Sequence, residues 1–197
     1  MSAVNEWIVR EYFEGLGFFV GQPRKYSVPG RSKTADEEVD LVAYHPARTN
    51  HVVPENLMWE TADVACVKRV LIGVRGWHTE RFYASTFEQA PDILRFAGSE
   101  TSDYAASLLG DGDFAKVLCL PRLPASGELR EKTVEVLRQH GIQGVLSFRT
   151  MLAELIDRVD INRNYEKSDL LQVIRLLKNY DFVRSRQMDL FEKRVRA

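Results

Sequence analysis

Three runs constrain the fold of this chain more than anything else in it: VLIGV (residues 70–74), FAKVLCLP (114–121) and IQGVLSF (142–148). A strand with one face in water alternates apolar and polar residues, because successive side chains point to opposite faces. The centres of these runs do not alternate, so both of their faces must be covered. Between them lie stretches of helical pattern, 79–110, interrupted near Pro91 and Gly98, and GELREKTVEVLRQH (127–140), stopped by Gly141. Doubly buried strands alternating with helices predict an α/β fold, a central sheet flanked by helices on both faces.

The N-terminal third adds to that frame. Val4, Trp7, Ile8, Tyr12 and Phe13 fall at helical spacing, and Gly15 and Gly17 end the run. GFFVGQPRKYSV and EEVDLVAYH then read as two strands, closed and separated by Pro29, Gly30 and the polar turn RSKTAD. Residues 46–68 have loop composition, with a short helix available in TADVACVKR. The chain finishes in the helical stretches MLAELIDRV and SDLLQVIRLLKNY, the latter with Ser168 as N-cap. The expected organisation is a sheet domain over 1–155 and a helical C-terminal extension with a basic tail over 156–197.

Composition narrows the partners. The chain has 197 residues with 45% hydrophobic content, enough for one buried domain and an appendage. Its 27 Lys+Arg against 28 Asp+Glu give a net charge of -1, so a nucleic-acid partner needs a local basic patch. Cys66 and Cys119 stand far apart among apolar neighbours without zinc-ligand spacing, which predicts reduced core thiols. The start, MSAVNEWIVREYF, is no signal h-region, and no apolar run reaches membrane-spanning length; a cytoplasmic protein is the expectation.

The chemistry concentrates around Gly73. Residues two apart in a strand share a face, so Glu38 and Asp40 point one way, as do Gly73 and Arg75. If the two strands are neighbours, a carboxylate pair faces a cation near a strand end, the arrangement that a magnesium-dependent phosphodiesterase uses. The alternatives are ordinary: Asp40 and Arg75 as a surface pair, and Glu6 as a first-turn helix carboxylate favoured by the dipole.

With these residues in order, the chain resembles the PD-(D/E)xK, or restriction-endonuclease-like, nucleases, and among them the Holliday-junction-resolvase-like branch. The similarity runs through Glu6 on the first helix, GLGFFV at the turn, EEVDLVAY with Asp40, and LIGVRGW where E-x-K would stand. It implies an αβββαβ core and a magnesium site at Glu6 and Asp40, where Glu38, with the Val74 carbonyl, would have to substitute for a missing ligand if the site is active, with catalysis then by Asp40, Glu38 and Arg75. The E-x-K motif is degenerate: Gly73 replaces the metal-binding acid and Arg75 the lysine. Arginine keeps its charge and can grip phosphate, but does not release a proton at neutral pH.

The segment after the strand, GWHTERF, puts Trp77, His78, Glu80 and Arg81 at the mouth of this site, where Trp77 and His78 could meet a base and Arg75 and Arg81 its phosphates. Packing of Trp77 against the following helix is the competing expectation. The tail VRSRQMDLFEKRVRA contains Gln187, Met188, Leu190 and Phe191 in a pentapeptide that resembles the bacterial beta sliding clamp-binding motif. Its basic flanks, Arg184, Arg186, Lys193, Arg194 and Arg196, suit passage beside DNA. The same apolar residues could instead pack back as a final helical turn.

Three functions follow as expectations. The first is a nuclease-like DNA-binding protein with an incomplete metal site, recruited to the sliding clamp in repair or replication. The second is a divergent endonuclease using Glu6, Glu38, Asp40 and Arg75 with Mg2+. The third is a protein-interaction module that keeps only the fold. No membrane partner is expected, and a homodimer is compatible with each.

Overall fold

The structure, a computed structural model, describes residues 3–23, 39–78 and 81–183. Helix α1 (Ala3–Gly15) leads into β1 (Phe19–Gly21), which pairs antiparallel with β2 (Leu41–Tyr44), itself antiparallel to β3 (Arg69–Val74). The strands β4 (Ala115–Leu120) and β5 (Gly144–Ser147) continue the sheet parallel to β3, in the order β1-β2-β3-β4-β5. Parallel neighbours cannot be joined by a hairpin and need a crossover. Between β3 and β4 it consists of α3 (Ala84–Gln89), a 3-10 helix (Pro91–Ala97) and α4 (Ser99–Leu109); between β4 and β5 it is α5 (Gly127–Gln139). A short α2 (Thr61–Val64) precedes β3, and α6 (Phe148–Arg158) and α7 (Asp169–Asn179) follow β5.

The pleat sorts the side chains into two cores. Leu41, Val70, Ile72, Val117 and Leu146 pack on one face with Val9 and Phe13 of α1 and Met151 and Leu155 of α6. Leu118, Leu120 and Val145 pack on the other with Phe87 of α3, Phe96 of the 3-10 helix and Leu137 of α5. Val42 and Leu71 meet Ala105 of α4 beside them. Helices therefore cover both faces, and β3, buried from Val70 onward, has no reason to alternate.

Several expectations need correction. The buried stripe of α1 is Asn5, Ile8, Val9, Tyr12 and Phe13, while Val4 and Trp7 are each 51% exposed. The helix is rotated because Asn5, polar and invisible to an apolar-spacing argument, is recruited inward by a hydrogen bond to His78. Cys66 is exposed just beyond α2, not in the core; only Cys119 is buried. The boundary drawn after residue 155 falls inside α6, and Val159 and Ile174 join the same core cluster as α1. Lys178 of α7 also donates to the carbonyls of Ile156 and Val159, so the described part of the extension is packed onto the sheet domain. Ser168 caps α7 as expected, accepting from the Leu171 amide. Among the described residues, no helix is long and apolar enough to cross a membrane. Glu38 and the second half of GFFVGQPRKYSV lie outside the described residues.

Candidate functional site

Asp40 directly precedes β2, and the pairing of Leu41 with Ile72 brings it level with Gly73. Its carboxylate reaches across the strand end, where Oδ2 accepts from the Val74 amide at 2.8 Å. Arg75 is the first residue beyond β3, and its amide still continues the ladder to the Cys119 carbonyl at 2.8 Å. Its side chain folds back over the face that carries Gly73. Nη1 donates to Asp40 Oδ2 at 2.6 Å and to the Val74 carbonyl at 2.7 Å, and Nη2 donates to the Ile93 carbonyl at 2.6 Å.

Both charges are inside the protein, Asp40 at 1% exposure and Arg75 at 8%. Removing two ions from water costs several kcal/mol each, recovered only with good pairing and filled hydrogen-bond positions. Here the pair is direct, and two backbone carbonyls take further donors of the guanidinium. Arg75 was expected to touch DNA; instead both terminal nitrogens are bonded to the protein, and it faces inward.

The space beside Gly73, where the resemblance would put a metal-binding acid, is filled. A Cβ built at Gly73 would fall 2.5 Å from Phe96 Cδ1 and 2.8 Å from Cζ. Real carbon contacts lie near 3.5–4.0 Å, so glycine is what lets the 3-10 helix settle on β3. Phe96 is fully buried, and its carbonyl accepts from Thr101 Oγ1 at 2.7 Å, which ties the 3-10 helix to the start of α4. Its ring centroid stands 6.0 Å from the Arg75 guanidinium carbon. Nothing in the sequence marked Phe96 for this position, 23 residues from Gly73, because only the packing of the crossover brings it there.

Glu6 is half-buried on α1 and accepts a hydrogen bond from the Gln22 side chain. Among the described residues, no three His, Cys, Asp or Glu side chains converge as a metal site. The thiol of Cys119 is pushed up by burial, with the nearby Asp40 charge acting in the same direction, so it stays protonated.

No family model, curated protein or solved structure matches this chain.

Described residues 76–78 and 81–82 lie at the mouth of the site. His78 Nε2 meets Asn5 Oδ1 at 2.8 Å, and the imidazole lies edge-on to Phe148 at 4.8 Å between centroids. Trp77 is 49% exposed and stacks on Phe82, in the segment before α3 and not on that helix, at 5.5 Å and 13°, while half of its surface meets solvent. Arg81 is exposed. Next to His78 opens a cleft of about 680 Å³, lined by Arg122, Phe148, Arg149, Leu152, Ile156 and Asp157 among others. Sequence reasoning missed Arg122 and Arg149, although both stand just past the carboxyl ends of parallel strands, where ligand crevices of open α/β sheets form. The tail with Gln187, Met188, Leu190 and Phe191 lies outside the described residues.

Proposed function

We propose that this chain is a restriction-endonuclease-like DNA-binding module in which protein side chains stand where metal and ligands would be. The topology supports the fold part: a helix, a three-strand antiparallel meander, and a helical crossover to a fourth strand parallel to the third. One observation carries the functional part, the buried Asp40–Arg75 pair beneath Phe96. The carboxylate that would bind magnesium is spent on a guanidinium and an amide, and an aromatic ring occupies the second ligand's place. The exposed Arg81, Arg122 and Arg149, with half-exposed Trp77, supply the local basic and aromatic surface that a chain of net charge -1 needs to hold DNA. The tail motif supplies the recruitment part of the reading, delivery to DNA through the sliding clamp.

The test is electrophoretic retardation of linear and branched duplexes across 50–200 mM salt, run beside a cleavage assay with Mg2+. Retardation that weakens steeply with salt, without strand scission, is the expected result. Absence of any shifted species at the lowest salt removes the DNA reading. Magnesium-dependent scission that disappears in Asp40→Ala restores the active endonuclease.

A protein-interaction role has one observation in its favour. Val173, Leu176, Tyr180 and Phe182 leave an exposed apolar strip along and beyond α7. Light scattering over a concentration series tests whether a second copy covers it.

A further inference from the structure

The cleft beside His78 joins three features that point to the same kind of ligand. The first is unspent positive charge. Arg122 and Arg149 both line the cleft, both are exposed, and neither has an acidic or carbonyl partner for its side chain among the described residues. Arg75, three residues before His78, shows the contrast, with both terminal nitrogens bonded to protein acceptors.

The second feature is where Arg149 stands. It is the second residue of α6, an eleven-residue helix whose first turn contains no acidic side chain. The amide end of a helix carries partial positive charge, so a cation there opposes the dipole, where Asp or Glu would be favoured. The Ser147 hydroxyl caps this end by accepting from the Thr150 amide at 3.0 Å, but it brings no charge. Local stability therefore disfavours arginine at 149. A bound anion would reverse the sign, since both the guanidinium and the helix end attract it.

The third feature is the wall. Phe148, Leu152, Ala153 and Ile156 give the cleft an apolar side, with the edge of His78 against Phe148 at its entrance. A bare inorganic anion has no use for that surface. The volume, about 680 Å³, suits a ligand of nucleotide size. Among the described residues, Asp157 is the one acidic side chain lining it.

We infer that this cleft binds a nucleotide, its phosphate held by Arg122 and Arg149 and its base or sugar laid on the Phe148–Ile156 wall, as the terminal 5′-phosphate unit of a DNA strand or as a free mononucleotide. The strand-end form rests on the DNA-binding reading above; the mononucleotide form does not.

The experiment measures fluorescence anisotropy of a 5′-phosphorylated dT oligonucleotide labelled at its 3′ end, in parallel with its 5′-hydroxyl counterpart. Calorimetric titration with thymidine 5′-monophosphate and with inorganic phosphate accompanies it. The phosphorylated strand and the mononucleotide bind, phosphate alone binds far more weakly, and Arg122→Ala and Arg149→Ala each lower affinity about tenfold, as loss of a charged hydrogen bond does. A tighter strand than mononucleotide identifies the strand end as the ligand; equal affinities identify the free nucleotide. Equal binding of both oligonucleotides without mononucleotide binding overturns this site and leaves DNA binding intact. Binding of the mononucleotide alone keeps the site and removes the DNA reading. If neither binds, both fall. Thermal melting provides the second readout: Arg149→Ala keeps or raises Tm in the ligand-free protein, and a lowered Tm overturns the assignment of Arg149 as a residue held against its own helix.

Discussion

The buried pair of Asp40 and Arg75 sets a measurable coupling. In Asp40→Asn, the amide oxygen still accepts from the Val74 amide, but the guanidinium at 8% exposure loses its counter-charge. In Arg75→Met, a chain of similar length still runs past Phe96, but the carboxylate at 1% exposure loses the guanidinium that lies 2.6 Å from it. Breaking a buried pair from one side costs about 3–5 kcal/mol, because the remaining ion loses its close counter-charge in a low-dielectric site. Combining Asp40→Asn with Arg75→Met removes both ions, and substituting such pairs by uncharged groups of similar volume is often close to neutral. The double variant should then be no less stable than either single one, with a coupling of at least about 3–5 kcal/mol. Urea unfolding followed by circular dichroism gives each corner of the cycle, with unchanged m values as the check that the same surface unfolds. Additive losses, or single losses below about 1 kcal/mol, would refute the view that this pair is a desolvated structural element.

Other outcomes follow from single features. Gly73→Ala should cost about 1–3 kcal/mol by overpacking against Phe96, and Phe96→Leu in the same chain should recover part of it; melting of the four variants checks this. Cys66 should react at once with a thiol reagent in native protein and Cys119 only on unfolding, so one thiol is titrated without urea and two with it. Burial lowers the pKa of His51 from 6.5, and its Nδ1 accepts from the Lys68 and Arg69 amides. A depressed histidine stabilises the fold fully above its unfolded pKa and loses that contribution as pH falls through the folded value, so urea midpoints should drop below about pH 6.5, less so in His51→Gln. A peptide spanning residues 184–194 should bind a bacterial sliding clamp at about micromolar Kd, and Leu190→Ala with Phe191→Ala should abolish this while leaving the Tm of the whole protein unchanged. A large fall in Tm would assign those side chains to the core.

The strands were legible because burial on both faces leaves a mark that survives in one dimension. VLIGV lies between two helical layers and could afford no polar residue. The alignment of Asp40 with Gly73 and Arg75 was legible for a similar reason, since a period of two fixes the face and one register fixes the partner. What stayed hidden depended on contacts between distant segments. The inward turn of Arg75 requires the Ile93 carbonyl, and the occupation of the space above Gly73 requires Phe96, both supplied by a crossover whose path periodicity does not specify. Asn5 hid the phase of α1 because a buried polar residue looks like a surface one until its partner is known. Cys66 misled in the opposite direction, apolar in its neighbours yet placed where a four-residue helix ends and the chain turns outward.

Phe96 over Gly73 also has a consequence for how such a sequence can change. Any side chain introduced at position 73 meets the ring first, and shrinking the ring first opens a hole in a core that contains Phe87, Leu118 and Leu120. Arg75 meanwhile holds Asp40, so a lysine there gains nothing until a new acid stands beside it. Three substitutions have to coincide before a carboxylate pair is exposed to solvent, and every single step toward it is a loss. The arrangement works as a ratchet: changes at the rim, at Trp77, Arg81, Arg122 and Arg149, cost the fold little and alter only what the surface binds, while changes at the floor are turned back.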